Sequence, residues 1–119
     1  MIVHIVLFKP RPHLADEERR NLISALSRAL EDIPSIRRAL VGKRVQHGRP
    51  YESLMRADYT YAAILEFDDL PGFKAYLEHP SHEALGSQFF AVFEDALMYD
   101  FEMTEGADGL AALRKTLEG

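Results

Sequence analysis

Residues 2 to 8, IVHIVLF, are almost wholly apolar, rich in β-branched side chains and closed by the turn sequence KPRP, the pattern of a buried strand. One side of that strand carries Ile2, His4, Val6 and Phe8, and the other Val3, Ile5 and Leu7. The period then lengthens. Leu22, Ile23, Leu26, Leu30 and Ile33 recur at helical spacing behind Asp16, Glu17 and Glu18, three acids suited to the positive end of a helix, and Pro34 stops the run. This predicts a helix from Asp16 to Asp32. Residues 36 to 45 read as a second, weaker strand, 46 to 58 as a loop, and 59 to 67, YTYAAILEF, as a third strand. After Asp68 and Asp69 a second helix begins with LPGFKAYLEH, breaks at Pro80 and resumes to Asp95, with Leu85, Phe89, Val92 and Ala96 on one stripe. Residues 96 to 103, ALMYDFEM, form the fourth strand.

The order β-α-β-β-α-β is that of an α+β, ferredoxin-like fold with a four-stranded antiparallel sheet. Its helices cover one face only. The other face carries large apolar residues, so the expected partner is a second copy, a symmetric homodimer closing an α/β barrel through that sheet face. The domain is expected to span residues 1 to 104. In the tail, residues 105 to 119, Leu110, Leu113 and Leu117 lie at helical spacing, which fits either a short docked helix or a frayed end.

Composition narrows the function. A chain of 119 residues with 47% hydrophobic and 28% charged positions is one ordinary globular domain. The lack of cysteine excludes disulfides, thiolate catalysis and zinc–thiolate sites, and agrees with a cytoplasmic location. A net charge of −5 argues against nucleic-acid and membrane binding. Against that balance, Arg37, Arg38, Lys43, Arg44, Arg49 and Arg56 form a local basic stretch, read as a solvated edge and loop or as a hold for an anion or an acidic neighbour. The apolar start, MIVHIVLFKP, lacks the basic region and cleavage site of a signal peptide, and no run approaches the roughly 20 apolar residues of a membrane span.

Chemistry concentrates in AYLEHPSHEAL, residues 75 to 85. With Pro80 at the first helical position, His82 falls in the first turn, where the helix dipole favours a neutral imidazole, the form a general base needs near neutral pH. Tyr76, across the break, offers a phenol to polarise a carbonyl. His4, flanked by apolar neighbours, needs a buried partner, for which Tyr61, Tyr76 and His82 are candidates. Tyr61, Val6, Phe8 and Phe89 complete the candidate binding surface. His79 and His82 also have a two-ligand metal spacing, with Glu78 and Glu83 nearby, but the proline separates their directions. No metal or cofactor is therefore expected. His13 and His47 fall in turns. Two readings stand: a small-molecule site with cofactor-free acid/base chemistry, and a structural dimer whose interior is packing alone.

In this order, VHIVLFKP, IPSI, VGKRV, FDDLPGFKAYLEHPSH and YDFEM resemble the stress-responsive A/B barrel (Dabb) family over residues 1 to 103. The resemblance implies a dimeric α+β barrel and, for most members, no established activity. The YLEHPSH segment is also similar to that of a plant polyketide cyclase which makes olivetolic acid by a metal-free intramolecular aldol reaction. That similarity implies Tyr76 and His82 as an acid/base pair and His4 as the matching strand histidine, whereas the cyclase's pocket histidine in strand three is replaced by Tyr61. Some relatives carry a divalent ion near the barrel. The wider group also includes monooxygenase-like members, although no haem ligand is evident in this chain.

Overall fold

A computed structural model describes all residues, 1–119. The chain forms β1 (Ile2–Pro10), α1 (Asp16–Asp32), β2 (Arg38–Lys43), a 3-10 turn (Pro50–Leu54), β3 (Tyr61–Phe67), α2 (Leu70–Glu78), α3 (Pro80–Val92), β4 (Phe93–Glu102) and α4 (Gly106–Glu118). The strands make one sheet in the order β2-β3-β1-β4, antiparallel throughout, which is the ferredoxin-like arrangement. β1 lies inside the sheet, as its apolar run requires, because both of its edges are paired.

The register decides which side chains share a surface. His4 stands opposite Leu65 and Asp100, and Val6 opposite Ala63 and Met98, so all of these face the helices. Ile5 stands opposite Ile64 and Tyr99, and Val3 opposite Phe101, so these face away. Ala29 and Ile33 of the α1 end, Leu65 and Phe67 of β3, Phe73 and Tyr76 of α2, and Leu85 of α3 make the core between sheet and helices. On the opposite face Leu40, Tyr99 and Phe101 are 45%, 55% and 47% exposed, an apolar surface that a single chain leaves uncovered.

Several boundaries differ from the periodicity. α3 ends at Val92 rather than Asp95, and β4 starts at Phe93. The cause is pairing: β1 runs on to Pro10, which lies opposite Phe93, and the Arg11 amide donates to the Val92 carbonyl at 2.9 Å. β2 is shorter than residues 36 to 45, because its ladder with β3 extends only from Arg38 to Lys43. The stretch 46–58 is an organised loop. The Glu52 carboxylate accepts the His47 and Gly48 amides and so closes the 3-10 turn. The tail is helical, yet none of its residues is buried, and Leu110, Leu113 and Leu117 stay exposed.

Candidate active site

Local sequence explains how α2 and α3 hold their side chains. Asp69 caps α2 by accepting the Gly72 amide at 2.8 Å, and Pro71 fits the first turn, where no amide partner is needed. Phe73 and Tyr76, three residues apart, then share the buried face. Pro80 disfavours a helical conformation at the residue before it, and the chain breaks at His79, which is extended. His79 becomes the cap of α3, its Nδ1 accepting the Ser81 amide at 3.0 Å. That role explains why His79 and His82 do not act as a pair. No group of three His, Asp or Glu side chains converges closely enough to hold an ion.

Between the sheet and the helices lies a partly open cavity of about 160 Å³. His4, Val6 and Phe8 from β1 line it, with Tyr76 from α2 and His82 and Phe89 from α3. The only lining side chains that carry polar atoms are His4, Tyr76 and His82. The Tyr76 and His82 rings meet edge to face at 4.6 Å between centroids, and His4 lies 5.9 Å from the Tyr76 ring. Tyr61 is elsewhere. It stacks on Phe8 at 5.7 Å, is 42% exposed, and lies outside the cavity lining.

The partner of His4 is Asp100, not Tyr61, Tyr76 or His82. The His4 Nδ1 donates to Asp100 Oδ1 at 2.5 Å, leaving Nε2 as the ring's acceptor. Asp100 escaped the sequence reading because it is 96 positions away, and only the β1–β4 register brings it opposite His4. The usable signal was an acidic residue set between Tyr99 and Phe101, at the same alternation as Met98.

Enclosure sets the protonation states. Burial, assisted by the charge of Asp100, pushes the Tyr76 phenol up to about 12, so it remains a proton donor across the physiological range. Burial also lowers His82 below the ordinary imidazole value; a hydrogen bond to the Leu77 backbone opposes this, and the nearby His4 adds to it. His82 is thus held in the neutral, proton-accepting form. The Tyr76 hydroxyl makes no hydrogen bond within the chain although the residue is only 3% exposed, and Ser35 Oγ is the only side-chain atom both sealed from solvent and unpaired. The phenol therefore retains a free donor at the cavity it lines.

The family model of the stress responsive A/B barrel domain matches residues 2–103. The chain belongs to the Dabb family. Beyond the matched residues the Dabb chain adds α4. It resembles a dimeric ferredoxin-like protein of unknown function from Thermobifida fusca, at 25% identity and a TM-score of 0.65, covering 86% of this chain and 90% of that one. A dimeric ferredoxin-like protein of unknown function from Bacteroides fragilis is 29% identical, with a TM-score of 0.59 and coverage of 86% and 95%. The hydroxynitrile lyase of Passiflora edulis shares the fold at 19% identity, with a TM-score of 0.71 and coverage of 88% and 94%. Comparison with curated proteins finds no match.

Proposed function

We propose that this Dabb protein binds a small aromatic or carbonyl compound between sheet and helices and moves a proton on it without a cofactor. One observation carries the reading. Tyr76, whose O–H has no partner within the chain, lines an apolar cavity beside the imidazole of His82, which burial keeps neutral and which bonds no other side chain. An apolar cavity near 150 Å³ accommodates a benzene ring, so about 160 Å³ suits a single ring better than a long chain. The P. edulis lyase shows that a protein of this fold supports chemistry on a small compound.

In this reading the substrate carbonyl oxygen accepts the Tyr76 hydrogen bond. His82 takes the proton from the adjacent carbon, and the electron pair moves onto the oxygen as an enolate that the phenol stabilises. The proton then returns to carbon, or the enolate attacks a second carbonyl and the proton goes to the alkoxide formed. Asp100 fixes the His4 ring beside the cavity, where its Nε2 accepts from a hydroxyl of the substrate or of the enol formed. The exposed face with Leu40, Tyr99 and Phe101 is closed by a second copy, a homodimer that leaves the helix-side cavity of each chain intact. The relatives from T. fusca and B. fragilis, both dimeric, support that assembly.

Phenylacetaldehyde in D₂O tests the chemistry. The protein is expected to accelerate exchange of the α-protons followed by NMR, and His82→Ala to lower that rate by about a hundredfold or more, within the range contributed by general base catalysis. Exchange no faster than in buffer, or a His82→Ala rate equal to that of the native protein, defeats the reading.

A further inference from the structure

Three residues of α3, His82, Gly86 and Phe90, line the cavity and also line a shallow groove on the outer surface with Leu77 and Glu83. Spaced by four, they form one row along the helix. The row is therefore where the inside of the protein meets the outside. Its middle member has no side chain, and its neighbours are an imidazole and a phenyl ring.

Glycine inside a helix is unfavourable relative to alanine. Packing does not require it at position 86, since a Cβ there would meet nothing within 4 Å. No unusual backbone requires it either, because only Gly48 and Gly106 among the glycines have positive φ. Gly72 and Gly109 show the contrast: a Cβ at each would come within 3.2 Å and 2.4 Å of Asp69 and Thr104. The space at Gly86 is open because it is a gap. Phe90 borders the same gap and is 82% exposed, an unusual state for a phenylalanine that also lines a cavity.

We infer that Gly86 is the doorway of the cavity and sets the width of ligand it admits, with Phe90 as its movable rim. The inference rests on the small-molecule reading above and assigns its access route. The notch lies in the helix layer, away from the sheet face where a second copy binds, so dimerisation leaves it open. A flat ring passes edge-on between His82 and Phe90 and arrives directly beside the two groups with free polar atoms. A side chain at position 86 projects into that passage.

The test uses the full-length protein and two probes, 4-fluorobenzaldehyde and the wider 6-fluoro-2-naphthaldehyde, with binding followed by ¹⁹F NMR. Gly86→Phe, whose ring would occupy the gap, is expected to slow association of the single-ring probe by about tenfold or more, within the roughly one to three decades that association rates span among related variants. Gly86→Ala, which adds only a methyl in open space, is expected to raise Tm by a few degrees, because alanine is favoured over glycine inside a helix. Phe90→Ala enlarges the notch without adding bulk to the helix, so it keeps the proposal testable if Gly86→Phe fails to fold. It is expected to speed association of the naphthaldehyde more than that of the single ring. If native protein binds the small probe and neither variant changes either association rate, the doorway is overturned while the site stands. If native protein binds neither probe, the site reading itself fails and takes the doorway with it.

Discussion

His4 and Ile5 are neighbours in the central strand, and their surroundings are opposite. His4 turns toward the helices, is 7% exposed, and meets Asp100 from the next strand. Ile5 turns the other way, between Ile64 and Tyr99, onto a surface that one chain cannot cover. The same pleat thus serves two purposes. The helix side encloses a few polar groups in apolar surroundings, where desolvation shifts their protonation. The open side is apolar over most of its breadth, which suits association but offers no chemistry.

The strongest way to break this contrast is to remove what holds the helix side together. Phe67 is fully buried and its ring packs, tilted, against both Phe73 and Tyr76 at 5.2 Å between centroids. Phe67→Ala is expected to cost about 3–5 kcal/mol in urea unfolding, and a loss below 1 kcal/mol would show that the core is not seated there. Next comes the open side. Ile64→Glu places a charge in the middle of the proposed interface at a cost of roughly 3 kcal/mol when left unpaired. Sedimentation should then show monomer while 4-fluorobenzaldehyde binding persists. A variant that remains dimeric places the interface elsewhere.

These expectations also show what the sequence made legible. The alternation of β1 named both faces, and Pro80 marked the α2–α3 break that sets Tyr76 against His82. Pairing between distant strands was not legible, so Asp100 was missed and His4 was assigned the wrong candidates. Nor could periodicity place the α3–β4 boundary, because Val92 and Phe93 suit either period and only pairing with the end of β1 decides between them. The cavity depends on whether large side chains fill a gap, which composition does not reveal.

Smaller effects sharpen the contrast. Asp100→Asn keeps the shape but removes the charge on the His4 hydrogen bond. Because the Asp100 side chain is 47% exposed, the expected loss of stability is about 1 kcal/mol, at the low end for bonds to charged groups. The α-proton exchange rate should fall with it, and an unchanged rate would remove His4 from the chemistry.

The pH dependence is smaller still, and its sign follows from which state holds more protons. His82 is lowered on folding, so below the ordinary value of 6.5 the unfolded chain takes up the proton first. Its contribution to stability is present above that value and is lost as pH falls toward the lower folded pKa; His82→Gln should flatten this slope. Tyr76 behaves in the opposite sense. Its contribution is present below 10 and lost as pH rises from 10 toward about 12, where the unfolded phenol ionises first. Tyr76→Phe should remove that alkaline loss in denaturation experiments at graded pH.

The central claim is that the chemistry lies under the helices, at Tyr76 and His82. It is tested most directly by NMR of the histidine, tyrosine and phenylalanine rings of the native protein titrated from pH 8 to 4, with and without 4-fluorobenzaldehyde. The account predicts a His82 midpoint below 6.5 and aldehyde-induced shifts centred on the cavity rings, His4, Tyr76 and His82 among them. A His82 midpoint at or above the ordinary value, or shifts centred on Tyr99 and Phe101 of the open face, would contradict it.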